Sequence, residues 1–321
     1  MKIKNIIVAA LLMLTPSLVS AQSYEAEGGQ SIPVLTVNPN ARNVAMGGNM
    51  FGESNIMMIY GNATSIYNSS KKIHVSATTQ MFSEFTEDAG KQKFAAVSGS
   101  YLLGSRHGIH FGARYLGGLK YDIMGRKGVE TAEPKDMTFD LGYSFKLNDN
   151  FSAQMSIMYL NSELGGDYSG STVGFDIAAY YRTTINLMSG LDITAGVRGG
   201  NFGGQLEYDK GSKADLPSYA GAGGEFALNI TDSHRLTLAV DAKYFVLPED
   251  SRMLMAGAGL EYTFKNMISL RGGYLYGEEE NSSLTAGLGF EMDIITVDAA
   301  YIKGMGDNDV DACLVSLGVR F

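Results

Sequence analysis

Residues 311–321 of the chain read DACLVSLGVRF, and this stretch decides the class of fold. Every second residue from Cys313 to Phe321 is apolar, whereas the positions between them include Ser316, Gly318 and Arg320. Alternation with a period of two residues places the apolar side chains on one face of a β-strand. A tilted strand of about ten residues is long enough to cross a bilayer. The stretch therefore predicts a membrane-spanning strand.

The same alternation recurs along the chain from residue 73 onward, and it is clear in residues 137–147 and 283–293. Ten-residue segments that alternate between apolar and polar are typical of transmembrane β-barrels. We therefore predict an all-β fold, a transmembrane antiparallel β-barrel of about fourteen strands spanning residues 73–321. The predicted strands are 73–82, 92–103, 106–118, 134–147, 150–162, 171–186, 189–201, 217–231, 233–247, 251–265, 267–277, 281–292, 294–303 and 311–321.

The links between these strands alternate in length. Tight turns are predicted at six points, for example Gly104-Ser105 and Asn148-Asp149, and longer polar links at 83–91, 119–133, 161–170, 202–216, 278–280 and 304–310. Outer-membrane barrels have short periplasmic turns and longer external loops. A soluble β-sandwich also alternates, but it has no reason to sort its loops by length. The pattern predicts the outer membrane of a Gram-negative bacterium, with both termini in the periplasm.

The first residues are typical of a cleaved export signal. Lys2 and Lys4 precede a short apolar run, Ile6 to Leu14, and the small residues Val19-Ser20-Ala21 fit a cleavage site before Gln22. The alternative, an uncleaved helical anchor, conflicts with the length of that run, because a membrane-spanning helix needs about 20 residues. We predict that residues 1–21 are a signal peptide.

Residues 22–72 lack the alternation of the strands and are rich in Gly, Asn and Met toward their end. They contain apolar residues that favour burial. We predict a segment that plugs or caps the barrel lumen, and a flexible periplasmic leader is the alternative. At the other end of the chain, the terminal Phe321 follows an alternating strand and resembles the signal by which the outer-membrane assembly machinery recognises its clients.

Composition limits the function. The net charge of −9 argues against a nucleic-acid partner, because phosphate binding needs a basic surface. The single Cys313 excludes an intramolecular disulfide, and the four histidines show no metal-ligand spacing. No nucleophile elbow is present, and His110 is left as a lone candidate base. We therefore predict a non-enzymatic protein without metal or cofactor, surrounded by outer-membrane lipid.

The alternation places charged residues of both signs on the inward face, because a charge facing lipid would cost about 2–4 kcal/mol for Arg or Lys. One interpretation is a polar channel or ligand site, and the other is a filling of ion pairs that makes the wall rigid. Glycines within strands should let the N-terminal segment or bulky neighbours approach the wall. These glycines are Gly196, Gly257, Gly259, Gly287 and Gly289. The inward charges are Arg114, Asp140, Asp176, Arg182, Arg198, Glu225, Arg235, Asp241, Glu261, Arg271 and Glu291.

Residues 41–48 read ARNVAMGG, and residues 60–63 read YGNA. Together they resemble the N-terminal motif of the PorV/PorQ family within the FadL-like group of barrels, in which an Arg, a Met-Gly-Gly and an Asn-Pro-Ala precede the first strand. The Pro is absent here, and Ser54 and Asn55 stand where an acidic pair is usual. The matching residues are Arg42, Met46, Gly47, Gly48, Asn62 and Ala63.

The resemblance implies a fourteen-stranded barrel whose N-terminal segment enters the lumen, and a source in the Bacteroidota. PorV-like members serve type IX secretion, in which they receive exported cargo. FadL-like members move fatty acids or other hydrophobic molecules. Two hypotheses follow: a barrel that binds exported proteins or secretion components, and a transporter of small hydrophobic molecules.

Overall fold

The computed structural model describes residues 32–83, 90–125, 128–165, 168–209, 211–278, 281–305 and 311–321. The predicted signal peptide and the start of the predicted N-terminal segment lie outside these residues. Fourteen long strands follow one another around a closed antiparallel barrel, and the last pairs with the first, with His74 opposite Arg320. The predicted fold class is confirmed. The strands are β1 Ile73–Phe82, β2 Lys93–Leu103, β3 His107–Gly117, β4 Lys135–Lys146, β5 Phe151–Gly165, β6 Tyr168–Ile185, β7 Leu191–Gly203, β8 Tyr219–Thr231, β9 His234–Phe245, β10 Met253–Phe264, β11 Ile268–Gly277, β12 Ser282–Met292, β13 Ile295–Met305 and β14 Ala312–Arg320.

Residues that alternate in the sequence lie on opposite faces of the barrel wall. In β1, Ser76, Thr78 and Gln80 are buried on the inner face, whereas Val75 and Met81 are exposed on the outer face. The outer surface is therefore apolar where a bilayer would contact it, and the inner face of β1 is polar at these three positions. None of the helices among the described residues combines the length and hydrophobicity needed to cross a membrane.

The two ends of the barrel differ. At one end, which we call the turn end, short connections such as 104–106 and 232–233 join the strands. Phe321 also lies there, and its backbone exchanges hydrogen bonds of 2.9 and 3.1 Å with Ile73. At the opposite end, which we call the loop end, longer connections such as 118–134 and 204–218 join the strands.

The loop end departs from the sequence prediction in one place. The prediction of a long link at 161–170 was wrong, because β5 continues to Gly165 and β6 begins at Tyr168. The added residues do not alternate between apolar and polar, and Glu163 forms an ion pair of 2.8 Å with Lys135. Strands that extend beyond the bilayer face water, so they lose the apolar alternation by which the sequence locates a strand.

Two of the long connections contain short hairpins. Tyr121–Gly125 pairs with Gly128–Ala132, and Leu206–Tyr208 pairs with Lys213–Ala214. The second hairpin also adds to the sheet, since Tyr208 lies opposite Gly170 of β6. The loop end is thus partly structured by backbone pairing.

The N-terminal segment, defined here as residues 32–69, lies inside the barrel. It begins at the loop end, where Ile32 packs with Phe82 and Phe94, and it runs toward the turn end before entering β1. Its regular structure is a short helix α1, Ala41–Ala45, and three 3₁₀ turns at Pro33–Leu35, Met58–Tyr60 and Ala63–Asn68.

Candidate functional site inside the barrel

Arg42 of helix α1 joins the N-terminal segment to the wall. Asn40 caps the helix by accepting a hydrogen bond from the Asn43 amide. The Arg42 guanidinium donates at 2.8 Å to Glu225 of β8 and at 2.8 Å to Glu261 of β10. A guanidinium that bridges two carboxylates makes charge-assisted hydrogen bonds with fixed geometry.

This contact extends across the neighbouring strands. Arg271 of β11 donates to Glu261 at 2.5 Å and to Asp298 of β13 at 2.6 Å. The side chains of Glu225, Glu261, Arg271 and Asp298 are each at most 6% exposed, and that of Arg42 is 11% exposed. Burial alone would lower the pKa of Arg42, but Glu225 and Glu261 raise it well above its ordinary value. Arg42 therefore stays charged, and the network holds three carboxylates with two guanidinium groups.

The Met46-Gly47-Gly48 turn packs backbone to backbone against the wall. Gly47 and Gly48 adopt φ of 72° and 83°, which L side chains rarely adopt. A Cβ added to Gly259 would lie 2.5 Å from the Met46 Cα, and one added to Gly273 would lie 2.3 Å from the Gly47 nitrogen. The strand glycines thus form a track on which the turn sits.

The sequence predicted this close approach at five strand glycines, and the structure confirms it. Gly257, Gly259 and Gly287 lie under the N-terminal segment, whereas Gly196 and Gly289 make room for bulky side chains.

The Asn62-Ala63 pair forms a second anchor. Asn62 caps the following 3₁₀ turn by accepting a hydrogen bond of 3.0 Å from the Thr64 amide. The Ala63 amide donates to Gln154 of β5 at 2.7 Å. The preceding carbonyl, that of Gly61, accepts a hydrogen bond of 2.9 Å from Arg198 of β7. The sequence did not predict the role of this carbonyl, because every residue has a backbone carbonyl and the residue type does not mark the one that is used.

Arg198 is itself held by Asp176 of β6, at 2.5 Å. A third anchor lies on β3 and β4, where the Tyr60 hydroxyl donates to Asp140 at 2.9 Å and Arg114 pairs with the same carboxylate at 3.0 Å. Burial raises the pKa of Tyr60, and the Asp140 charge raises it further. The phenol therefore stays protonated and continues to donate.

Three more of the predicted inward charges lie nearer the turn end. Arg182 pairs with Glu53 of the N-terminal segment at 2.6 Å, Arg235 with Asp192 at 3.4 Å, and Glu291 with Arg320 at 2.6 Å. At most of the predicted inward positions, the charged groups of the described residues therefore form ion pairs that fill the lumen, as the second interpretation of the sequence expects.

Two further inward groups stand apart from these pairs. Asp241 lies inside the lumen, and its Oδ1 atom has no hydrogen-bond partner among the described residues. His110, the candidate base, is fully buried between Ser100 and Ser144, at 2.8 and 2.9 Å.

The loop-end half of the lumen is apolar and is filled by the chain itself. Val34, Leu35 and Val37 are each at most 7% exposed. They pack in an apolar chamber, whose lining at the wall and in the 204–218 connection is Phe82, Phe94, Leu116, Met158, Leu160, Leu206 and Leu216.

The spaces left between the segment and the wall are small or polar. A cavity of about 70 Å³ lies beside Leu35, Tyr60 and Asp241, below the apolar chamber. A larger cavity of about 320 Å³ lies at the turn end, where Arg42, Glu261 and other charged groups line it. The segment therefore occupies much of the space that a passage through the barrel would need.

A family model described as "Type IX secretion system protein PorV" matches residues 28–252. The chain belongs to the PorV family. The matched range includes the whole N-terminal segment and continues through β9, and it ends before Glu261 of β10. The predicted PorV/PorQ resemblance is confirmed. Among curated proteins, no sequence match is found.

Solved structures resemble this PorV-family chain in fold. The toluene transporter TbuX of Ralstonia pickettii aligns with a TM-score of 0.61 at 14% identity, covering 90% of this chain and 99% of that one. The toluene transporter TodX of Pseudomonas putida aligns with a TM-score of 0.56 at 12% identity, covering 95% and 98%. A FadL homologue of Pseudomonas aeruginosa gives 0.50 at 12% identity, covering 94% and 98%. At these identities the likeness shows a shared barrel fold.

Proposed function

We propose that this chain is a non-enzymatic outer-membrane barrel of type IX secretion that binds exported proteins or other secretion components. Its turn end, with Phe321, faces the periplasm, and its loop end faces outward. The family match supports the secretion role. The difference between short turns and long connections supports the orientation.

The observation that carries the proposal is the fixed N-terminal segment. Three buried polar anchors, at Arg42, Tyr60 and Gly61, tie it to strands on different sides of the barrel. Breaking a buried ion pair by removing one partner typically costs about 3–5 kcal/mol. Release of the segment would break the ion pairs of Arg42 and also the hydrogen bonds of Tyr60 and Gly61. A barrel with a fixed filling is better suited to present a surface than to conduct a solute.

The loop end supplies that surface. The hairpin of residues 121–132 carries Val129, which is 68% exposed, and the neighbouring β5–β6 hairpin carries Leu164, which is 47% exposed. Exposed apolar groups above the membrane wall are suited to contact with another protein. Residues 121–132 are therefore one proposed contact region, and the long 204–218 connection at the same end is the other.

A copurification experiment tests this role. The full-length barrel would be extracted gently from its native outer membrane, and partners would be counted by mass spectrometry. We expect a protein partner at near-equal amount, and we expect its loss when residues 122–131 are replaced by a two-residue turn. Shortening the 246–252 connection instead serves as the control and should keep the partner. Absence of any protein partner from the intact barrel would contradict the proposal.

The apolar chamber supports a second candidate, transport of small hydrophobic molecules. Phe94, Leu116 and Leu160 would suit an apolar solute if residues 32–37 withdrew. This candidate predicts that the native barrel speeds the uptake of toluene and that deletion of residues 41–67 abolishes the uptake. If the deletion leaves uptake unchanged, the transport hypothesis is wrong.

A further inference from the structure

Two outward-facing clusters at the turn end share one composition and one register. The first aromatic cluster consists of His107, Tyr143 and Phe145, on β3 and β4. The second aromatic cluster consists of His234, Tyr262 and Phe264, on β9 and β10. In each, the histidine lies directly opposite the phenylalanine, and the tyrosine precedes that phenylalanine by two residues.

The geometry of the two clusters is also the same. The Nδ1 atom of His107 lies 2.6 Å from the Tyr143 hydroxyl, and that of His234 lies 2.6 Å from the Tyr262 hydroxyl. The ring centroids of His107 and Phe145 are 5.2 Å apart, and those of His234 and Phe264 are 5.3 Å apart. Each imidazole is therefore held in one orientation by a hydroxyl and a ring.

That orientation leaves the other ring nitrogen free. No described residue bonds to Nε2 of either histidine. When the tyrosine hydroxyl donates to Nδ1, the proton of the neutral imidazole must lie on Nε2. In that tautomer each cluster offers an N–H donor on the outer surface, beside an aromatic ring.

The clusters lie where the apolar wall ends. On β3 and β4, Ile109 and Leu141 are 42% and 59% exposed directly above the first cluster. Leu236 and Leu260, at 40% and 54%, lie above the second. Aromatic residues with a polar atom favour the level of lipid headgroups. Lys265, whose Nζ lies 5.3 Å from the Phe264 ring centroid, adds a positive charge at the same level.

We infer that each aromatic cluster binds the phosphate of one phospholipid headgroup, with the acyl chains lying along the apolar wall above it. Nε2 of the histidine donates to a phosphate oxygen. The two sites are six strands apart on the barrel, so they hold separate lipids.

Native mass spectrometry of the full-length barrel with phosphatidylglycerol tests the inference. We expect two tightly retained phospholipids on the native protein, one on His107→Leu or His234→Leu, and none on the double variant. Leucine suits a surface that faces lipid, and heat-dependent migration on a gel checks that each variant is folded. Tyr244→Phe removes an outward hydroxyl at the loop end and should leave both lipids bound.

Equal numbers of retained lipids on the native protein and the folded double variant would overturn the inference, and so would retention of none by the native protein. Either result would mean that the clusters are a passive aromatic belt. If instead the Tyr244→Phe control loses as much lipid as the histidine variants, the loss is not specific to the clusters, and the inference is likewise wrong.

Discussion

The guanidinium of Arg42 and the carboxylate of Glu261 lie 2.8 Å apart inside the barrel, although 219 residues separate them in the chain. This contact joins helix α1 to strand β10 of the barrel wall. It makes the N-terminal segment part of the folded barrel, because the same guanidinium also binds Glu225.

Replacing Arg42 by Ala would leave the Glu225 and Glu261 carboxylates without this buried partner. We expect a loss of about 3–5 kcal/mol in the free energy of unfolding, since an uncompensated buried charge is costly. A urea titration of the barrel in detergent micelles, followed by circular dichroism, measures the loss. The matched control is Lys120→Ala, which breaks an exposed ion pair with Glu133 and should leave the midpoint unchanged. Equal midpoints for both variants would mean that Arg42 is not an anchor.

Two adjacent glycines of β11 provide a direct test of the glycine track. A Cβ at Gly273 would lie 2.3 Å from the Gly47 nitrogen, whereas the nearest atom to a Cβ at Gly272 is 3.9 Å away. We expect Gly273→Ala to cost about 1–3 kcal/mol through overpacking. Gly272→Ala should be tolerated. The same urea titration compares them, and a tolerated Gly273→Ala would contradict the observed backbone contact.

Leu35 tests the filling of the apolar chamber, because its side chain is 7% exposed. Leu35→Ala should lower the free energy of unfolding by about 2–5 kcal/mol, the usual range for a buried leucine. Val129→Ala, at a position 68% exposed, is the control and should change stability by less than about 0.5 kcal/mol. A Leu35→Ala protein as stable as the control would show that residues 32–37 do not pack in the chamber.

Tyr60 gives a pH-dependent prediction. Its pKa is raised above the ordinary value of 10.0 in the folded protein by burial first and by Asp140 second. A group whose pKa rises on folding contributes stability that is complete below its unfolded pKa and is lost as the pH rises through its folded pKa. The stability difference between the native protein and Tyr60→Phe should therefore stay constant up to the ordinary pKa and shrink only at more alkaline pH. A difference that shrinks near neutral pH would contradict the assigned hydrogen bond.

The strands of the membrane wall were predictable because the alternation that marks each strand lies within a short stretch of the sequence. Each strand that crosses the bilayer must alternate, so β1 was predicted at 73–82 and is observed at Ile73–Phe82. The extension of β5 to Gly165 was not predictable in this way, because its outer face is in water. Alternation also indicated that Glu225 and Glu261 face inward, but it carries no information about which cation each would meet.

The anchors on the N-terminal segment were predictable only in part. The resemblance pointed to Arg42 and Asn62 without giving their partners. Gly61 and Tyr60 contribute a carbonyl and a phenol to buried hydrogen bonds, and neither residue type signals such a role. Those contacts depend on the three-dimensional path of a segment that has no periodic pattern.

The N-terminal segment is, in this structure, a fixed filling of the lumen. Conductance of the purified barrel in a planar lipid bilayer tests this most directly. The comparison is a variant that lacks residues 32–69. Gly273→Ala is a second comparison, in which the segment is present but its contact with the wall is disturbed. We predict no steady ion current through the native barrel, and a current through the deletion variant. A native barrel that conducts as well as the deletion variant would contradict the claim.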